Sequence, residues 1–366
     1  MTLVVSERMV AVLLNGHGGF DQIEIRTDMP VPVPNAGEVL IKVGAAGVNN
    51  TDINTRIGWY SKDVTSGTTP EGGVGGIDLA DARDGSWTGT PIAFPRIQGA
   101  DVCGEIVSVG PEVDTNRKGE RVIVEPCLRE PLGWRPHEYW YFGSECDGGF
   151  AQYAKVASAH AYNIESSLSD VELASFPCSY STAENMLTKT NLRENETVLI
   201  TGASGGVGSA AVQLAKRRNA KIIAIAGAEK ADKVRSLGAN QVIRRGASLK
   251  DELENESVDV VIDLVAGDQW PQFLDVLKRG GRYAVSGAIA GPIVELDVRT
   301  LYLKDLGLIG CTLLEPEVFR NLIEYIERGE IQPLVSATYP LDQIVAAQTA
   351  FLSKKFVGKI VLDVSQ

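Results

Sequence analysis

An α/β protein of two parts is what this sequence predicts, one part rich in β-strands and the other a doubly wound parallel sheet. Three observations lead there. The chain has 366 residues, beyond the roughly 250–300 at which a single core stops growing. Its first third reads as short strands punctuated by Pro and Gly. From about residue 195 strands alternate with helical patterns, the signature of a parallel doubly wound sheet.

The elements follow in order. "MVAVLLNG", "QIEIRTDMPVPVP" and "EVLIKVGAAGVN" alternate as strands, and Pro30, Pro32 and Pro34 forbid a helix there. Residues 61–95, rich in Gly and Thr, show no period. A loop of that length is a functional lid or a loose surface insertion. Strands resume at "DVCGEIVSVG" and "RVIVEPC", followed by an aromatic-rich excursion, "LREPLGWRPHEYWYFGSECDGG".

"TVLIT", "KIIAIA", "QVI", "VDVVIDLVA" and "RYAVSG" are the strands of the parallel sheet. The helix "VGSAAVQLAKRR" puts Val207, Ala211 and Leu214 on one face. "EKADKVRSLGAN" is a short helix stopped at Gly238. A helix "EVFRNLIEYIERG" turns Val318, Leu322 and Ile326 inward. Another follows near Ile344–Leu352, and "KIVLDV" closes the chain as a strand.

"VLITGASGGVGSAAVQLA" is the strongest motif, because a strand precedes it and a helix follows. Gly202, Gly205, Gly206 and Gly208, with Ser204 and Val207 between them, let the backbone approach a pyrophosphate at a helix N-terminus. A dinucleotide cofactor is therefore expected. NAD sites place a carboxylate at the end of the second strand, but Ala226 and Gly227 stand there. Lys230 and Arg245 lie close by, and cations there attract a 2′-phosphate. NADPH is expected over NADH. Each cation also reads as an ordinary surface charge. Gly287, ending "RYAVSG", is assigned to the same site.

Composition excludes other classes. Hydrophobic residues are 44% of the chain, and 35 basic against 47 acidic side chains give a net charge of −12. Such a surface repels phosphate backbones and anionic lipid, so neither nucleic acid nor membrane is an expected partner. Five Cys, odd in number and widely spaced, suggest no disulfide framework and a reducing cytoplasm. "MTLVVSERMV" carries charges in its apolar run and is not read as a signal peptide.

"GEVLIKVGAAGVNNTD", "PRIQGADVCGEIVSVG", "KGERVIV", "DGGFAQYAKV", the Gly-rich loop and "GKIVL" together resemble the medium-chain dehydrogenase/reductase superfamily over essentially the whole chain. The resemblance implies a GroES-like catalytic domain over 1–160, completed by 312–366, and a Rossmann NAD(P)-binding domain over 161–311. Zinc alcohol dehydrogenases of that superfamily carry Cys, His–Glu and Cys at positions that are here Asn49, Ala100–Asp101 and Cys178. Two strong ligands are missing, so catalytic zinc is not expected. Cys178 then reads as a small buried hydrophobe. Cys127, His137, Glu145 and Cys146 make a mixed metal site conceivable, though their spacing is not that of a metal knuckle and His137 reads equally as a surface residue.

"GVNN" and "GADVCG" are similar to the zinc-free quinone oxidoreductase and zeta-crystallin-like branch. That branch implies hydride transfer from NADPH to a quinone or activated alkene. A conjugated acceptor spreads charge onto an oxygen that hydrogen bonds can hold, so no Lewis acid is needed. The resemblance points to Asn49 as a donor to that oxygen, Thr51 as a relaying hydroxyl and Thr182 as a nicotinamide contact. Asp52 matches a recurring position and is expected to orient local structure. Tyr60 reads as a donor or as a half-buried aromatic, and Thr182 also as a helix N-cap. The loop 61–95 and the Trp134–Phe142 aromatics are expected to set substrate width. Two alternatives stand: a zinc-dependent alcohol dehydrogenase acting on an alcohol/aldehyde pair, and a non-catalytic NADPH-binding protein. A homodimer or homotetramer is implied, paired through an edge strand over 301–312.

Overall fold

A computed structural model describes residues 5–77 and 83–365 of the chain. The strand Glu38–Val48 is the axis of its first half, pairing with Asp101–Val109, Tyr153–Ala157 and Lys359–Asp363. Around it lies a seven-stranded sheet, whose outer members are Arg121–Val124, Ala161–Asn163 and Val335–Pro340. A smaller sheet of Arg8–Leu14, Ile23–Pro30 and Arg96–Ile97 packs beside it, in the same apolar cluster. The strand Ala161–Asn163 therefore belongs to this sheet, three residues beyond the expected boundary.

The second half is a six-stranded, all-parallel sheet in the order 241–244, 221–226, 197–200, 258–263, 277–285, 307–310. Successive strand residues face opposite layers. Val198, Ile200, Ile222 and Ala224 pack against the helices Pro177–Lys189, Gly206–Arg217 and Val318–Glu327. Leu199, Ile223 and Ile225 pack against Trp270–Val276 on the other side. In Gly206–Arg217, Ala211 and Leu214 are buried, whereas Val207 is only partly covered at the helix mouth. Gly238, at φ +132°, stops Ala231–Leu237 in a conformation that L-residues rarely adopt.

Two expectations need correction. The edge strand is Gly307–Gly310, not 301–312, because Val298–Leu303 is helical and Asp305 turns the chain at φ +50°. The insertion is built into the protein over its described residues. Pro70–Gly75 is a helix capped by Thr69, and Thr68 N–H donates to Ile289 O at 3.0 Å. Part of the 61–95 segment, residues 78–82, lies outside the described residues.

Arg56 ties the insertion down. It is fully buried, and its guanidinium donates to Gly18 O at 2.9 Å, Gly73 O at 2.5 Å and Gln348 Oε1 at 3.1 Å. Burial lowers its pKa to about 10. Arg56→Met is expected to leave these acceptors unpaired and to cost about 2–4 kcal/mol in urea unfolding; a loss below about 0.5 kcal/mol would refute the clamp.

Candidate active site

Strand register creates the site. Gly47 pairs with Asp101, and Val48 pairs with Ile360. Asn49, Asp101 and Lys359 are thereby brought to one point at the end of the axial strand. A Cβ on Gly47 would lie 2.5 Å from Asp101 Oδ2 and 2.7 Å from Ala174 O, so only glycine lets the carboxylate come this close.

Lys359 Nζ donates to Asp101 Oδ2 at 2.7 Å, to Asn49 Oδ1 at 2.5 Å and to Val48 O at 3.1 Å. Asn49 Nδ2 donates to the same Asp101 oxygen at 2.8 Å. The other Asp101 oxygen accepts from Cys178 N–H at 2.5 Å. The Asn49 amide is thus spent inside the protein, both as acceptor and as donor. Its expected donation to an acceptor oxygen has no free geometry here; what it does is hold Lys359 and Asp101 together.

Asn49 also starts the helix Asn50–Arg56, with Asp52 Oδ2 accepting from Asn49 N–H at 2.7 Å. Burial raises the Asp52 carboxyl to about 7, against the backbone hydrogen bond and the Lys359 charge that favour its ionised form. The helix buries Thr51 and carries Asn54, and both side chains stand close to the Tyr60 hydroxyl. Burial pushes the Tyr60 phenol well above its ordinary range, so it stays protonated. Thr51, Asn54 and Tyr60 form one hydroxyl and amide cluster on this helix and the turn after it.

Across the site Tyr141 OH donates to Cys178 Sγ at 3.1 Å, and burial raises the Cys178 thiol to about 12. Trp87, from the insertion, stacks on Tyr141 at 4.3 Å between centroids and meets Tyr60 edge-on at 5.1 Å. Of the aromatics expected to set substrate width, only part comes here. Tyr139 OH accepts from Trp87 Nε1 at 2.9 Å. Trp134 is exposed and stacks on His160 instead, and Phe142 is buried in the core of the first sheet.

The Gly-rich loop runs from the strand Thr197–Ile200 into Gly206–Arg217. A Cβ on Gly208 would sit 2.3 Å from Gly202 O, so helix and loop touch there. A Cβ on Gly205 would meet only Gly202 O, at the ordinary van der Waals distance of 3.5 Å, so no side chain closes over the helix mouth there. No side chain caps that helix, so its first N–H groups and positive dipole end are available to an anion. Ser204, Gly205, Gly206 and Val207 are all partly exposed around this opening. Gly287 lies over Leu264, whose carbonyl oxygen would be 2.9 Å from an added Cβ. Thr182 is half-buried inside Pro177–Lys189, which removes the N-cap explanation for it.

Ala226 ends its strand buried, and Arg245 N–H donates to its carbonyl at 2.8 Å. The Arg245 side chain is exposed. Lys230 is mostly buried and donates to Lys354 O. Lys354 donates to Asn50 Oδ1 at 3.3 Å, and burial with the neighbouring Lys230 lowers it to about 7. Glu229 folds back so that its carboxylate would lie 2.5 Å from a Cβ on Gly227. A carboxylate therefore does stand near the end of the second strand, which a reading of position alone placed out of reach.

Comparison with known proteins decides the family. Residues 69–166 match a profile described as "Alcohol dehydrogenase GroES-like domain" and residues 206–328 one described as "Zinc-binding dehydrogenase". A quinone oxidoreductase of Mus musculus is 30% identical, covering 97% of each chain. An acryloyl-coenzyme A reductase of Metallosphaera sedula is also 30% identical, over 97% of this chain and 99% of its own. A crystal structure of a Sinorhizobium meliloti 1021 protein, provisionally named an alcohol dehydrogenase, is 43% identical with a TM-score of 0.88 over 98% and 97% of the two chains. The chain belongs to the medium-chain dehydrogenase/reductase superfamily, in its quinone oxidoreductase-like branch. It is an oxidoreductase of that superfamily, built of a GroES-like and a Rossmann-like domain.

The superfamily's zinc does not fit these residues. Where ligands would converge, the Lys359 ammonium stands between Asn49 and Asp101, Ala100 offers no donor, and Cys178 Sγ accepts from Tyr141 OH. Among the described residues no three His, Cys, Asp or Glu side chains group as a metal-holding set. Cys127 and Cys146 are both free, and His137 is exposed.

Sequence reasoning missed Lys359 and Trp87. A lone Lys opening the apolar run "KIVLDV" was the available signal, since Lys is rarely buried unless paired. Lys359→Met is expected to cost about 3–5 kcal/mol in chemical unfolding, because Asp101 is left buried and uncompensated. Adding Asp101→Asn is expected to recover part of that loss; a double variant as unstable as the sum of the singles would refute the coupling.

Proposed function

We propose that this protein is an NAD(P)H-dependent reductase that transfers hydride to a quinone or activated alkene without zinc. The observation that carries the reading is the Lys359 ammonium among the positions where zinc ligands would converge. The 30% identical quinone oxidoreductase and acryloyl-coenzyme A reductase support the same substrate chemistry.

The nicotinamide, when bound, supplies the hydride. The Gly205–Val207 opening and the helix behind it hold the pyrophosphate, with Thr182 and Gly287 beside the nicotinamide end. Tyr60 and Thr51 donate to the acceptor oxygen as negative charge develops there. Tyr60 suits that role because it is held protonated and half-buried, where a hydrogen bond to developing charge is strong. Asn49 acts as a positioning residue, through Lys359 and Asp101.

NADPH is the preferred cofactor in this proposal, through Arg245 and the absence of an acid at Ala226. Glu229 beside Gly227 favours a second reading, NADH, because a carboxylate there accepts from a ribose 2′-hydroxyl and repels a 2′-phosphate. We also place a second copy of the chain on the edge strand Gly307–Gly310, where Tyr302, Leu303 and Leu308 are exposed, and the protein in the cytoplasm. Light scattering on the purified protein tests the former, with a monomeric mass against it. Cell fractionation tests the latter.

The deciding assay is oxidation of NADPH and NADH by quinones and enones after exhaustive chelation. Turnover is expected to survive chelation and to favour NADPH, with Arg245→Ala narrowing that preference. Activity restored only by zinc would return the alcohol dehydrogenase reading, and tight NADPH binding without turnover would favour a binding protein. Tyr60→Phe is expected to lower kcat/KM roughly 10²-fold, and a change below threefold would remove Tyr60 from the mechanism.

A further inference from the structure

The insertion at 61–95 brings an aromatic ring to the site and fixes it there. Trp87 sits in a tight turn in which Gly89 N–H donates to Ser86 O at 3.2 Å and Thr90 N–H donates to Ser86 Oγ at 2.9 Å. The turn is tied to the aromatic lobe. Trp87 N–H donates to Ser144 Oγ at 3.2 Å, and Thr88 donates to Glu145 Oε1 through both N–H, at 3.0 Å, and hydroxyl, at 2.9 Å. The other Glu145 oxygen accepts from Tyr141 N–H at 2.8 Å. One carboxylate thus holds both halves of the Trp87–Tyr141 stack in register.

The result is a continuous aromatic surface. Trp59 meets Tyr60 edge-on at 5.7 Å, Tyr60 meets Trp87 at 5.1 Å, and Trp87 stacks on Tyr141 at 4.3 Å. Its polar tips point to neighbours already named, Tyr141 OH to Cys178 and Trp87 Nε1 to Tyr139 OH. Tyr60 and Trp87 both remain partly exposed, beside the hydroxyls assigned to the acceptor oxygen. A planar conjugated ring matches such a surface by stacking, whereas a short linear chain gains little from it.

We infer that Trp87 is a specificity-determining residue that selects flat cyclic acceptors, of the size of a naphthoquinone or larger, over linear enones. This rests on the reading of the site as a reductase of conjugated acceptors. Ser144 and Glu145 act as positioning residues, since they set where the indole stands.

The test compares wild type, Trp87→Leu and Trp87→Phe in NADPH-driven reduction of menadione, 9,10-phenanthrenequinone and but-3-en-2-one. Leucine keeps apolar bulk without a ring, and phenylalanine keeps a ring. The ratio of kcat/KM for the quinones to that for the linear enone is expected to fall about tenfold in Trp87→Leu. In Trp87→Phe it is expected to stay within about threefold of wild type. An unchanged ratio in Trp87→Leu, or an equal fall in both variants, overturns the inference. If wild type reduces none of these acceptors, the reductase reading fails by itself. Equilibrium dialysis of menadione then still tests the aromatic surface: about tenfold weaker binding by Trp87→Leu supports it, and equal binding overturns it.

Discussion

Lys359 carries an ammonium into a place where its side chain is 3% exposed, opposite an Asp101 side chain that is 0% exposed. Taking two such charges out of water costs several kcal/mol each, and only good geometry with further hydrogen bonds offsets it. Both conditions are met, by Asn49 Oδ1 and Val48 O on the ammonium and by Asn49 Nδ2 and Cys178 N–H on the carboxylate. The pair therefore pins four segments at once: the axial strand, the strand Asp101–Val109, the last strand and the start of Pro177–Lys189. The first three belong to the catalytic half. The fourth belongs to the core of the nucleotide half.

That pin reaches the Gly-rich loop as well. A Cβ on Gly206 would lie 2.9 Å from Lys359 Cδ and 2.6 Å from Ser179 Oγ, so the lysine stem lies against the Gly-rich loop. Gly358 N–H donates to Ser204 O at 3.0 Å in the same region. The position of the loop is thereby set against the helix that carries Thr51 and Asn54. Hydride transfer depends on such placement more than on any reactive side chain, because effective concentration falls steeply with misalignment. In the proposed reaction, the residues that offer zinc no good donor set also do this positioning.

The insertion and the aromatic lobe add a wall to this frame. They are far apart in sequence, and neither has a regular period. Each completes the other: the insertion brings the Trp87 indole, and the lobe brings Ser144 and Glu145, the acceptors that hold its turn. Arg56 secures the near end of the insertion through Gly73 and Gln348.

Much was legible in the sequence, where the chemistry is local. Strand and helix periods, the Gly-rich loop with a strand before it and a helix after it, and the stop at Gly238 follow from backbone geometry within a few residues. The missing Cys and His ligands were equally plain, since residue identity alone removes them. Tertiary structure decided what depends on register and on groups distant in the chain. It turned Asn49 inward, because a lysine 310 positions later arrives at its carbonyl oxygen. It brought Trp87 to Tyr60 and Tyr141, and shortened the edge strand to Gly307–Gly310. Local periodicity reports which way a residue faces along its own element; which charge or ring it meets is fixed only when separate strands and loops are brought together by the packed core.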